Sequence, residues 1–137
     1  MADTMKSAVG KILKAHGILE AFNSTDHYAV KIASVGFMPL CIEKHGELLT
    51  VTHYFEQNGD LVPDPDVEFV NIGGKEWLPV AIQHSTGHYS RVAERIEGVW
   101  KFRPRGLRDL QSFSRMWARN LLAQGFATGE LVRHQAG

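Results

Sequence analysis

The sequence predicts an α+β domain in which a curved antiparallel β-meander is flanked by an N-terminal and a C-terminal helix that pack on one face. Three observations predict this class: helical spacing of apolar residues near both ends, alternating polarity between them, and short turn signals that separate the alternating segments. Connections this short can join antiparallel strands but not parallel ones. We expect the 137 residues to form a single domain, with helices over about 4–16 and 107–124 and a sheet over about 28–102.

Both helices are predicted from apolar residues that recur at spacings of three and four. The hydroxyl of Thr4 can accept a hydrogen bond from an unsatisfied amide of the first turn, which marks the start of the first helix. Gly17 and Gly125 favour the ends of the two helices. The apolar positions are Met5, Ala8, Val9, Ile12 and Leu13 in the first helix and Leu107, Leu110, Phe113, Trp117 and Leu121 in the second.

The strands of the sheet are predicted from alternating or continuous apolar runs bounded by turn residues such as Asn58-Gly59 and Gly73-Gly74. Two helices can cover only one face of such a sheet, so we expect the other face to be open to water or to a partner. The predicted strands are Tyr28–Ser34, Met38–Lys44, Leu48–Gln57, Val67–Ile72, Trp77–His84, His88–Ala93 and Val99–Phe102.

The acidic stretch HYFEQNGDLVPDPD, from His53 to Asp66, surrounds a predicted two-residue hairpin turn at Asn58-Gly59. Prolines cannot donate to a strand ladder, so we expect the return strand to become an edge or to leave the sheet. Asp64 and Asp66 are expected to hold a bend around Pro65. In the strand before the turn, alternation predicts a core face of Leu49, Val51, His53 and Phe55 and a wetter face of Thr50, Thr52, Tyr54 and Glu56.

Catalytic and metal-binding interpretations have less support. His84 and His88 flank a short turn, where they could chelate a metal ion with His53 as a third ligand, but no cysteine or carboxylate completes a known ligand spacing. Cys41 alternates with apolar neighbours and is expected to be a small core residue. Phosphate-binding loops, nucleophile elbows and calcium-loop motifs are absent. We therefore expect no catalytic residues and no cofactor.

Charge is unevenly distributed although the formal net charge is zero. Residues 43–68 contain seven acids and one base, whereas residues 101–119 contain six bases and one acid. These regions are either solvated faces or the two poles of a dipolar molecule. Arginines can bind phosphate oxygens and neighbouring aromatic side chains can stack on bases, so the basic segment is a candidate nucleic-acid interface. Its basic residues are Lys101, Arg103, Arg105, Arg108, Arg115 and Arg119.

The block HYFEQNGDLVPDPDVEF, followed by WLPVAIQH and GHYSRV, resembles an uncharacterised domain family of plasmids, phages and other mobile elements. Members of that family carry H-Y-[FY]-E-Q-N-G-D-L-x-x-D-P-[DE], and Asp66 occupies its final acidic position. The resemblance extends from about Ala29 to Val92. It implies a small accessory protein of a mobile genetic element, and no activity is associated with the family.

The leading hypothesis is a non-enzymatic protein that binds a host macromolecule, for example an inhibitor of a CRISPR or restriction system. Its partner would be a host protein or protein–nucleic-acid complex, and self-association as a homodimer is an alternative use of an open sheet face or edge. A nucleic-acid-binding protein is the second hypothesis and a small metal-dependent enzyme the third. One cysteine, charges spread through the first 17 residues and the lack of a long apolar run predict a cytoplasmic protein without a leader or membrane contact. The proposed partner surface, the acidic hairpin, comprises Tyr54, Glu56, Asp60, Asp64 and Asp66.

Overall fold

The computed structural model describes residues 4–137, and the described chain has three helices and nine strands. Both predicted helices are present, and a short additional helix follows the first. The hydroxyl of Thr4 accepts a hydrogen bond from the backbone N–H of Ser7 at 3.1 Å, which confirms the predicted cap. Among residues 4–137, no helix is both long and apolar enough to cross a bilayer. The helices are α1 (Met5–Ala15), α2 (Leu19–Ser24) and α3 (Pro104–Ala123).

The strands form a seven-stranded antiparallel sheet and a separate two-stranded hairpin, which confirms the α+β class. The strands are β1 (His27–Ala33), β2 (Leu40–His45), β3 (Leu48–Gln57), β4 (Asp60–Val70), β5 (Leu78–Gln83), β6 (Tyr89–Arg91), β7 (Ala93–Ile96), β8 (Val99–Phe102) and β9 (Glu130–Ala136). The order in the large sheet is β6-β5-β4-β3-β2-β1-β9, and β7 pairs with β8. The sheet is not closed, so β6 and β9 are its edges. The predicted strand His88–Ala93 is therefore divided between the two sheets.

The predicted bend near Pro65 is wrong, because β4 continues without interruption from Asp60 to Val70. It pairs with β3 on both sides of an irregularity between Thr52 and Tyr54, and the Asp64–Pro65 peptide is cis. The pairing of β5 with β4 begins only at Asp66. The first half of β4 therefore has no strand on its second side, and prolines there remove no hydrogen bond of the ladder.

The C-terminal strand β9 was not predicted, because its residues are mostly polar. Six of its seven residues are exposed. It pairs antiparallel with β1. The turn before it brings Gly129 so close to β1 that a β-carbon at this position would overlap the carbonyl oxygen of Ala33. Glycine is thus required for the backbone to return alongside β1.

The core lies between the sheet and the helices. Leu49, Val51 and His53 of β3 are buried on this side, as the alternation predicted. Two members of that prediction are wrong: Phe55, expected in the core, is only half-buried, and Thr52, expected on the wetter face, is buried. The ring of His53, 6% exposed, lies 5.5 Å from Trp117 and 5.6 Å from Phe126 between ring centroids. Its Nδ1–H donates to the carbonyl of Pro39 at 3.1 Å, and burial lowers the pKa of the imidazole.

The opposite face of the sheet is partly covered by the β7–β8 hairpin. Val70 and Ala81 point away from the helices and pack with Trp100 and Phe102 in a second apolar cluster. The carboxylate of Glu47 accepts hydrogen bonds from the indole N–H of Trp100 at 3.2 Å and from Arg95 at 3.0 Å. The hairpin therefore covers the β4–β5 side of this face, and the β1–β3 side stays open.

We expect the stability of the fold to decrease in mild acid through His53. Burial lowers the pKa of the folded imidazole below its ordinary value of 6.5, so the unfolded chain takes up a proton at higher pH than the folded chain. The free energy of unfolding should be constant above that value and fall as the pH drops below it. Urea unfolding at about pH 8 and about pH 5.5 measures the difference, which should be smaller in His53→Gln and unchanged in the exposed control His88→Gln. An equal loss in wild type and His53→Gln would contradict this assignment.

We expect Gly129→Ala to destabilise the protein by about 1–3 kcal/mol, because the added methyl group forces β9 away from β1. Chemical denaturation measures the loss, and amide hydrogen exchange should show faster exchange in β9 than elsewhere. Gly10→Ala is the matched control, since a β-carbon there meets nothing within 4 Å. Gly10 lies inside α1, so this control should stabilise by about 0.5–1 kcal/mol. Equal effects of both variants would argue against the close approach.

Candidate functional site

The uncovered part of the open face forms a groove of about 580 Å³, here called the open-face groove. It lies across β9, β1, β2 and β3 and extends to the tip of the β3–β4 hairpin. A volume of this size is in the range of clefts that bind small molecules or peptide side chains. The polar side chains that line it and matter below are Lys31, Cys41, Glu43, Thr52, Tyr54, Glu56 and Arg133.

The strand register places side chains of opposite charge at the two ends of one row that crosses the sheet. Arg133 pairs with Lys31, Lys31 with Cys41, Cys41 with Thr52, and Thr52 with Asp66. Paired residues of neighbouring strands point to the same face and the strands lie about 4.8 Å apart. The row thus runs from two cations through a thiol and a hydroxyl to a carboxylate.

Asp66 and Tyr54 are the groups of the acidic hairpin that face this row. The carboxylate of Asp66 accepts a hydrogen bond from the hydroxyl of Thr52 at 3.0 Å. Burial raises the pKa of Asp66, Glu43 raises it further, and the Thr52 hydroxyl partly offsets the shift. Burial also raises the pKa of Tyr54, with a smaller contribution from Asp66. Asp66 is therefore a half-buried strand residue, and its predicted role in a turn is wrong.

The other three acids of the acidic hairpin differ in their contacts and exposure. Asp64 accepts a hydrogen bond from the hydroxyl of Ser85 at 3.0 Å and lies 3.9 Å from Nδ1 of His84. Glu56 and Asp60 are exposed at the tip, as predicted, and within the described chain neither forms an ion pair. The acidic hairpin is therefore not one uniform surface.

The structure does not bring the three predicted metal-ligand histidines together. His53 is in the core, whereas His84 and His88 flank the β5–β6 turn, where the N–H of His84 donates to the carbonyl of His88 at 2.9 Å. The ring of His84 contacts Phe113. Within residues 4–137, no group of three or more His, Cys, Asp or Glu side chains could hold a metal ion.

The basic C-terminal segment is divided between two environments. Arg115 forms a two-pronged ion pair with Glu76, with its shortest N–O distance at 2.8 Å, so it stabilises the fold locally. The other basic side chains of the segment are exposed: Lys101, Arg103, Arg105, Arg108 and Arg119. They flank the start and the outer face of α3.

Three residues of the groove were missed or misplaced in the sequence analysis. Cys41 was expected in the core, but its side chain is half-buried on the open face while Leu40 and Ile42 fill the core. Burial raises the pKa of its thiol. Lys31 was not singled out because one lysine in a strand carries no motif. Arg133 could not be placed without β9.

Comparison with known proteins gives a family but no activity. No curated protein matches the chain, and no solved structure matches it. A family model described as a domain of unknown function, DUF6908, matches residues 7–127, which include every helix and eight of the nine strands in whole or in part. The chain therefore belongs to the DUF6908 family of domains of unknown function.

Proposed function

We propose that this protein acts without catalysis, by binding another protein through the open-face groove and the free acids at the hairpin tip. The observation that supports this most directly is the rim of the groove. Leu61 is 65% exposed and Met38 is 37% exposed, and both line the groove beside Glu56. Exposed apolar side chains bordered by charged ones are typical of protein interaction sites.

The segment between β1 and β2, which contributes Met38 and Pro39 to the groove, carries two further exposed apolar side chains. Val35 is fully exposed and Phe37 is 47% exposed, although Phe37 also contacts the buried ring of Phe126. The carbonyl of Pro39 is held by His53, so the rim is anchored to the core. A surface segment that is held in place before binding lowers the entropic cost of association.

The groups inside the groove favour contact over chemistry. The raised pKa of Cys41 leaves its thiol protonated at neutral pH, which is the opposite of an activated nucleophile. Tyr54 lines the groove and Asp66 lies beside it, hydrogen-bonded to Thr52, so a hydroxyl and a carboxylate are available to contact a partner. Asp66 also forms no ion pair within residues 4–137, so a cation of a bound partner could compensate its desolvated charge.

A second candidate is nucleic-acid binding by the basic segment, supported by the exposure of five of its six basic side chains. The first turn of α3 contains no acid, so nothing in that turn neutralises Arg105. Phosphate contacts would give an affinity that falls steeply with salt concentration. The pairing of Arg115 with Glu76 reduces the available basic surface, and for this reason we place the groove first.

The biological setting remains a proposal that depends on the resemblance of the hairpin block to proteins of mobile elements. In that setting the partner would be a host macromolecule in the cytoplasm, such as a component of a CRISPR or restriction system. A homodimer is the alternative use of the same open surface.

Reversing the charge of the free acids should abolish partner binding without affecting the fold. We expect Glu56→Lys combined with Asp60→Lys to lose the partner, because both acids border the apolar rim, while the melting temperature stays unchanged. Glu94→Lys combined with Glu97→Lys, on the β7–β8 hairpin, is the matched control.

A photo-crosslinking residue at position 61 measures contact with the partner in host cells. Position 99 is the control, since Leu61 and Val99 are both exposed apolar residues. Crosslinks of equal yield at both positions would count against this surface.

Asp66→Asn should raise the melting temperature at neutral pH. Burial raises the pKa of the folded carboxyl above its ordinary value of 3.8, so the ionised form costs stability once the pH exceeds that value. Asparagine keeps an acceptor for the Thr52 hydroxyl and removes the charge. The difference from wild type should vanish near pH 3 and grow with pH, as thermal unfolding across pH can measure. Asp60→Asn, at an exposed site, should leave the melting temperature unchanged. If Asp66→Asn were less stable than wild type at neutral pH, the interpretation would be refuted.

A further inference from the structure

Lys31 and Arg133 lie directly opposite each other on neighbouring strands of the open face. Like charges in this arrangement are destabilising. Within the described residues 4–137, neither side chain forms an ion pair or a hydrogen bond, and Lys31 is half-buried. Two cations thus lie side by side, and within residues 4–137 neither is in ion-pair contact with a carboxylate.

This pair lines the open-face groove next to Cys41. Lys31 is the cross-strand partner of Cys41 as well as of Arg133. Both cations act electrostatically on the thiol and oppose the effect of Glu43. Because Lys31, Arg133 and Cys41 line the same groove, the reactivity of the thiol can report on an anion bound to the two cations.

The far end of the same row has the opposite charge. Asp66 lies just beyond the residues that line the groove, hydrogen-bonded to the groove residue Thr52, and is three strand spacings from Lys31, a separation of about 14 Å. Glu43 and Glu56 line the groove between and beside these ends. A polyanion such as a nucleic acid would meet these carboxylates along its length, whereas a segment with one anionic and one cationic group would complement both ends.

We propose that Lys31 and Arg133 bind a carboxylate of a partner protein segment whose cationic side chain, about 14 Å away, reaches Asp66. This inference rests on the proposed binding function and names the charge pattern of the segment that enters the groove. In an extended segment the two charged residues would be four positions apart, at about 3.3 Å per residue.

The single cysteine, Cys41, permits a direct test with iodoacetate and iodoacetamide. Both reagents alkylate the same thiolate and release iodide, but only iodoacetate carries a carboxylate. The ratio of the two rates cancels any change in thiolate concentration. We expect this ratio in the folded protein to exceed the ratio in the urea-unfolded chain by about fivefold, which corresponds to about 1 kcal/mol.

Lys31→Gln combined with Arg133→Gln should return the ratio to the unfolded value. Removing opposed like charges should not lower the melting temperature, so misfolding is not expected to obscure the result. Lys101→Gln combined with Arg105→Gln removes the same charge outside the groove and should leave the ratio at the wild-type value. A wild-type ratio equal to that of the Lys31/Arg133 variant would overturn the proposal.

The ligand class is tested by protection of Cys41 from iodoacetamide. The probe is a capped five-residue peptide with Asp first, Lys fifth and alanines between; the control peptide has Lys at both ends. We expect only the Asp/Lys peptide to slow alkylation, with the effect lost in the Lys31/Arg133 variant and weakened in Asp66→Asn. Oligothymidylate is the nucleic-acid probe in the same assay. If it protects Cys41 as well as the peptide or better, or if the peptide gives no protection, the assignment to a protein segment is overturned.

Failure of the carboxylate site and failure of the proposed binding function give different results. Partner crosslinking at position 61 together with an unchanged reagent ratio would remove the carboxylate site and leave the binding function intact. A raised ratio and peptide protection without any crosslinked partner would support the site while removing the hairpin-tip surface.

Discussion

An antiparallel sheet places alternate side chains on opposite faces, and here helices bury only one of these faces. This asymmetry determines the rest of the molecule. The helix-covered side carries nearly all of the large apolar residues, whereas the other side is covered by the β7–β8 hairpin over part of its width. The part that remains open is in contact with water. It carries the row of cations, small polar groups and carboxylate, most of which lines the groove.

The core and the groove are connected through His53. Its ring packs among aromatic side chains, and its Nδ1–H holds the carbonyl of Pro39 in the segment that supplies the apolar rim. A wholly apolar residue at this position could fill the same volume but would leave that carbonyl unpaired. The polar side chain in the core therefore positions the Pro39 segment at the edge of the groove.

Local patterns were sufficient to predict most of the fold. The spacing of apolar residues identified α1 and α3, and alternation identified β3 and three of the four residues assigned to its buried face. The patterns failed where tertiary context overrode local preference. Pro63 and Pro65 correctly predicted that the start of β4 is an edge, but the bend expected at Pro65 is absent because β3 keeps this half of β4 extended. The strand β9 is too polar to be recognised without β1 beside it. The candidate site was harder still, because Lys31, Cys41 and Arg133 come from three strands that are distant in sequence, and only the register brings them into one row.

The two prolines in the outer half of β4 have a consequence for behaviour at high concentration. This half projects past the end of β5 and presents an unpaired backbone edge, which in many proteins recruits strands from other chains. A residue without an N–H cannot complete the hydrogen-bond ladder that such recruitment needs. The projecting hairpin can therefore expose its charged and apolar side chains to solvent while its edge is protected against strand-by-strand aggregation into fibrils.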